Sequence, residues 1–313
     1  MAETTQEIAL RHFYFPVNID EFIKPINDFL SIAQKPLIQP IGSFAKNLSS
    51  VISTTSLPFW MGMASVSQKR FLQIHLAEKI RALNHADKDG HIPEWARAQA
   101  YEIAKKRAQE ESLDDTHKDT TIEELFADLI MLLSDPNFNT ASREVLRQGA
   151  VLTWSSIEVL ATDLFISLLN TKPELVNILF KNDRVRKWFD IRGVSLEILE
   201  THGFDVSKKM GDILIEHYSI DTLPAIKTIF SILSLGRADL ITALDNPDLY
   251  LLNKRRHLIV HRRSIVDLQY KNSTSDSLNV GDELYIKPDD LDRYLTVVRE
   301  AGKELIDSAC SIL

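Results

Sequence analysis

Leu146, Ala150, Trp154, Ile157, Ala161, Leu164 and Leu168 recur at intervals of three or four residues. That spacing puts all of them on one face of an α-helix. It predicts a helix from about Ser142 to Asn170, the strongest core-helix signal in the chain. Glu158 lies inside it, where a carboxylate ordinarily faces solvent or pairs along the helix. A fold built on such a spine needs other helices to cover it, and the flanking sequence supplies their punctuation. Thr120 with Glu123, or Thr121 with Glu124, makes a capping-box signal ahead of the apolar run 125–133, and Asp135-Pro136 ends that run.

Further helices are expected over about 173–182, 194–202 closed by Gly203, 206–218, and 222–235 closed by Gly236. Asn246-Pro247 reads as an N-cap with proline at the first helical position. The segment 267–290 has a Ser/Asn-rich middle that reads as a loop, and "ELYIK" at 283–287 reads as a short strand. From about Asp289 a last helix carries Leu291, Leu295, Val298, Leu305 and Ala309 on one face. The fold class expected is all-α: a helical bundle with a helical N-terminal extension and one short β-hairpin near the C-terminus.

The first 115 residues change character along their length. Phe22, Ile26, Phe29 and Ala33 fall at helical spacing, with Pro25 limiting the first turns. Between Pro36 and Gln68 Lys46 is the only charged residue, which predicts a buried, irregular or partly helical segment ending in "PFWMGM" at 58–63. A membrane-surface helix would carry a strongly basic polar face, and this segment lacks one. Strongly helical sequence follows to Gln109, broken by "HADKDGHIPEW". There Asp87, Asp89, Gly90 and Ile92 match the spacing of a calcium loop, but His85 and Ala96 stand where two principal ligands belong. A polar helix–helix turn opened by Pro93 fits the residues better. The polar stretch 111–121 reads as a linker, which divides the chain into 1–115, a helical region of unknown role, and 116–313, a helical domain.

Composition narrows the function classes. The chain has 313 residues, 44% of them hydrophobic, and a formal net charge of -8. That balance argues against broad electrostatic coating of nucleic acid while leaving room for a local basic site. Cys310 is the only cysteine, which excludes an intramolecular disulfide framework and a multi-thiolate zinc site. The N-terminus has no secretory pattern and no uninterrupted run of about 18 apolar residues suggests a membrane span, so a cytoplasmic location without membrane attachment is expected.

The local basic site is "KRRHLIVHRR" at 254–263, on the helix opened by Asn246-Pro247. Four-residue spacing makes His257 and His261 neighbours, while Arg256 and His261 lie about 140° apart, close enough to border one cleft. Arg can hold a phosphate through two charge-assisted hydrogen bonds, and His can move a proton near neutral pH. RNA carries its own nucleophile, the 2′-hydroxyl, so cutting it needs only a proton acceptor, a donor and a cation. Other readings of the same residues stand beside this one. A basic amphipathic helix could bury Leu258, Ile259 and Val260 and solvate its charges. The His pair could bind zinc, although no Glu follows His257 and five cations would repel a metal. Passive phosphate binding without chemistry is the third, and spacing does not separate it from catalysis.

"RHLIVH", Arg256 to His261, resembles the R-x4-6-H signature of the HEPN superfamily, with His257 at the position usually held by Asn. The helix "LRQGAVLTWSSIEVLATDLFISLL" resembles the first core helix of that family, with Glu158 at its acidic position, and the resemblance covers roughly residues 140–313. It implies a helical bundle that dimerises with two motifs facing each other. It also implies a metal-independent endoribonuclease, acting as a toxin or in antiviral defence, with an antitoxin or regulatory partner protein. Some members are instead catalytically silent and bind RNA or nucleotides. Carried over by position, Arg256 engages the scissile phosphate, His261 is the acid/base residue, and His257 orients or assists. Glu158 supports them, and Lys254, Arg255, Arg262 and Arg263 attract RNA. No cofactor or metal is implied.

Overall fold

The structure is a computed structural model that describes residues 4–189 and 195–313. Its α-helices, in chain order, begin with α1 (Thr5–His12), α2 (Ile19–Asn27), α3 (Lys35–Thr55) and α4 (Leu57–Ala82). There follow α5 (Glu94–Leu113), α6 (Asp115–Leu133), α7 (Pro136–Thr171), α8 (Leu175–Leu179), α9 (Asp183–Phe189) and α10 (Leu196–Thr201). The series ends with α11 (Met210–His217), α12 (Leu223–Leu233), α13 (Ala238–Leu244), α14 (Pro247–Arg262), α15 (Leu268–Ser273) and α16 (Pro288–Ile312). The class is all-α.

The long helix is present and begins six residues before its expected start, because Asp135 accepts the N–H groups of Asn137 at 2.7 Å and Phe138 at 3.2 Å and so caps it. One stretch of α7 is long and apolar enough to cross a membrane by composition, and half of that stretch is buried within the protein.

Two sequence expectations fail here for reasons of backbone chemistry. The stretch 111–121 is not a linker: α5 and α6 are separated by the single extended residue Asp114, and Thr120 and Thr121 lie inside α6 rather than at its cap. An exposed helix needs no apolar period, so polarity alone did not mark a break there. Nor does a β-hairpin form among the described residues. The only pairing is an isolated antiparallel bridge between Ile265 and Glu283. Positive φ at Arg263, Ser264 and Gly281 bends the chain, and the Asp267 cap of α15 and Pro288 of α16 leave no length for a strand. Residues 36–68, expected to be partly irregular, are the helices α3 and α4 joined at Ser56.

Residues divide into two compact units, and neither is continuous in sequence: Met1–Phe15 with Ser56–Glu144, and Pro16–Thr55 with Val145–Leu313. The division therefore crosses the boundary expected at 115. In the first unit Ala9, Phe13, Val66, Leu125, Phe126 and Leu129 form a buried cluster. The turn at 86–92 belongs to this unit, and Asp87 accepts the N–H groups of Asp89 (3.0 Å) and His91 (2.8 Å), which makes it a backbone turn. In the second unit α7 buries Trp154, Ile157, Ala161, Leu164 and Leu168, and α3 and α16 pack together. A Cβ on Gly302 would stand 2.3 Å from the Phe44 ring, so glycine sets how closely α16 approaches α3.

Candidate active site

The site is assembled on α14. Asn246 accepts the Asp248 N–H at 2.9 Å and Pro247 occupies the first turn, so the helix starts where the sequence predicts. It ends at Arg263, whose left-handed backbone lets the Ser264 N–H return to the Leu258 carbonyl at 3.1 Å. Leu249, Leu252, Arg255 and Leu258 are its buried face. Of the apolar triplet only Leu258 is buried; Val260 is 49% exposed, so the triplet does not anchor the helix as a unit.

Arg256 sits at the edge of that face and turns toward α7. There its Nη2 lies 3.8 Å from Oε2 of Glu158, both side chains being about three-quarters shielded from solvent. That distance is an ion pair but not a hydrogen bond. Neither Nε of Arg256 nor Oε2 of Glu158 has a hydrogen-bond partner, although both atoms are buried. Burial pushes the Glu158 carboxyl above its ordinary range, Arg256 opposes the shift, and Asp221 adds to it. Arg256 thus retains donors for a second anion beside a carboxylate that only partly neutralises it.

The rings of His257 and His261 meet one turn apart on the exposed side in a tilted arrangement, ring centres 4.7 Å from each other and planes inclined by 44°. The His257 imidazole is held below its ordinary pKa, first by burial and then by His261, Arg256 and Lys254, while Asp267 opposes them. The pair therefore contains an imidazole biased toward its neutral, proton-accepting form. Asp267 also meets Nε of Arg262 at 3.3 Å and caps α15 by accepting the Tyr270 N–H at 2.8 Å.

Arg255 departs from its expected role. Its guanidinium is buried, with Nη2 2.8 Å from Asp276 and Nη1 3.2 Å from Asp290. It donates to the hydroxyls of Tyr294 at 2.8 Å and Tyr270 at 3.3 Å. Its charge is spent inside the fold, so it is not placed to attract RNA. Lys254 lies over the Tyr250 ring at 5.3 Å, and Arg262 and Arg263 are exposed. Sequence reading missed Asp221, Asp267, Asp276 and Asp290. Asp267 carried a usable signal as an N-cap, whereas Asp276 sits in a Ser-rich loop with nothing local to mark it.

Among the described residues no three His, Cys, Asp or Glu side chains converge as a metal site would require. A cleft of about 930 Å³ opens beside α14, lined from that helix by Pro247, Asp248, Tyr250, Leu251 and Arg255, and also by residues of α12 and by 273–277; Arg256, His257 and His261 do not line it. Compared with protein-family models, with curated proteins and with solved structures, the chain matches none.

Proposed function

We propose that this protein is a metal-independent endoribonuclease resembling the HEPN superfamily. The observation that carries the reading is Arg256, about three-quarters shielded against Glu158 with donors to spare, on the same helical turns as the paired rings of His257 and His261. In the reaction, an imidazole takes the proton of a 2′-hydroxyl, whose oxygen forms a bond to the adjacent phosphorus. The bond from phosphorus to the 5′-oxygen breaks, and that oxygen leaves with a proton from an acid group. The products are a 2′,3′-cyclic phosphate and a 5′-hydroxyl, so the proton count balances without water or metal. His261 is the acid/base residue, His257 assists, and Arg256 stabilises charge on the phosphate. Lys254, Arg262 and Arg263 supply salt-sensitive attraction. The same reading makes the protein a cytoplasmic homodimer, a toxin or phage-defence effector held in check by a protein partner.

The test is cleavage of RNA in EDTA by wild type and His261→Ala. Cleavage by the wild type alone supports the reading, and equal cleavage by both overturns it. A second reading, RNA or nucleotide binding without chemistry, is favoured by the position of both imidazoles on the solvent side of α14 while Arg256 turns toward Glu158 on α7. Under it, both proteins leave RNA intact and retain it through purification, and neither slows growth of a host that expresses it.

A further inference from the structure

The exposed face of α14 carries more than the histidine pair. Tyr250, Lys254, His257 and His261 stand at i, i+4, i+7 and i+11, which on a helix is a single stripe. The contacts along it agree, with Lys254 over the Tyr250 ring at 5.3 Å and His257 against His261 at 4.7 Å. The stripe is about 16 Å long at 1.5 Å per residue. One end meets exposed Arg262 and Arg263, and the other end, Tyr250, lines the cleft.

Tyr250 is unusual for a surface aromatic. The residue is 40% exposed, yet its hydroxyl donates to the Ser273 carbonyl at 3.0 Å, so the ring is tied at its far edge to a segment that also lines the cleft. Lys254 covers one face of that ring, and an aromatic plane tied at its edge and lining a cleft is a stacking platform for a base. Lys227, which pairs with Asp245, and Arg184 line the same cleft. A row of cations and imidazoles leading from such a platform matches a sugar–phosphate backbone with unstacked bases. It does not suit a duplex, whose bases are closed to side-chain stacking.

The geometry points to a track for single-stranded RNA along α14, with one base stacked on Tyr250 in the cleft and the backbone passing Lys254 toward His257 and His261. This rests on the ribonuclease reading for the identity of the strand. Tyr250 is then a specificity residue that selects single strands and sets which phosphate reaches the histidines.

The experiment uses the full chain carrying His261→Ala and a fluorescein-labelled 12-nucleotide RNA, alone or annealed to its complement, followed by fluorescence anisotropy. Adding Tyr250→Ala should weaken single-strand binding by about tenfold, which is about 1.4 kcal/mol, and leave duplex binding within about twofold. Tyr250→Phe keeps the ring and should bind within about twofold of the parent, which separates stacking from damage to the fold. Equal single-strand affinity in the Ala variant, or an equal loss for duplex, overturns the track. Cleavage by the wild type in EDTA with no effect of Tyr250→Ala on binding would remove the track alone. A Tyr250-dependent affinity without any cleavage would remove the ribonuclease step alone.

Discussion

Replacing Arg255 by methionine keeps the length and apolar stem of the side chain and removes one buried cation. Asp276, 9% exposed, then loses its cation, while Asp290, 12% exposed, keeps only its pair with Arg293. Breaking a buried ion pair by removing one partner costs about 3–5 kcal/mol, because the remaining charge is left without compensation. Arg255 also loses donations to Tyr270 and Tyr294. Charged hydrogen bonds contribute about 1.5–3 kcal/mol each but do not add within one network, so the ion-pair figure is the one to expect. At about 2–4 °C per kcal/mol for a domain of 150–250 residues, the unfolding midpoint should fall by about 6–20 °C at pH 7.

The pH dependence gives a sharper test. In the wild type the Asp276 carboxyl is held below its ordinary range; burial pulls the other way but is outweighed by the hydrogen bonds from Tyr270 and Arg255 and by the Arg255 charge. Its contribution is therefore present above an unfolded value near 3.8 and is lost as pH falls through the lower folded value. In the variant the same carboxyl is buried without a cation, its pKa rises, and protonation relieves the cost. The stability gap between the two proteins should narrow from pH 7 toward pH 4, and Asp276→Asn added to the variant should recover part of it at pH 7. Calorimetry and denaturant titration at several pH values measure this. A gap under about 1 kcal/mol at neutral pH, against the 3–5 expected, would refute the argument, as would one that widens on acidification.

Glu158 titrates above the ordinary carboxylate range because it is buried, with Arg256 opposing, so Arg256→Ala should raise it further; carbon-detected NMR of the carboxyl reads the shift, and a fall would contradict the geometry. His257 should titrate below 6.5, rise in His261→Ala, and fall further in Asp267→Asn, which removes the charge that supports its protonated form; imidazole NMR follows each change. Gly211→Ala would place a methyl 2.5 Å from the Ile166 backbone, which cannot step aside, and should destabilise by about 1–3 kcal/mol or more. Gly42→Ala, inside α3 with nothing within 4 Å of the new methyl, should instead stabilise by about 0.5–1 kcal/mol, and thermal melts of the two variants test the contrast.

Local chemistry by itself determined most of the helices. The seam from Leu146 to Leu168 needs only a 3.6-residue period, and Asn246-Pro247 opens α14 with groups adjacent in sequence. Gly203 and Gly236 both take the positive φ expected of helix-ending glycines. Where a signal was inferred from polarity, as over 111–121, it failed, because charged residues form exposed helices as readily as loops. The hairpin failed for a related reason, since strand pairing depends on a partner segment of sufficient length.

Within the basic stretch the sequence determined which residue types share one helix and how many degrees separate them. It did not determine which of two adjacent arginines would be buried. Arg255 and Arg256 are chemically identical and 100° apart, and the choice was made by what lies across from each: Asp276, Asp290 and two tyrosine hydroxyls on one side, Glu158 on the other. Those partners come from 98 residues upstream and up to 39 downstream, distances over which only the packed fold can bring such groups together. A buried guanidinium needs a partner for its charge and most of its donors, so the arginine with more partners turned inward and its neighbour was left with a single, longer ion pair.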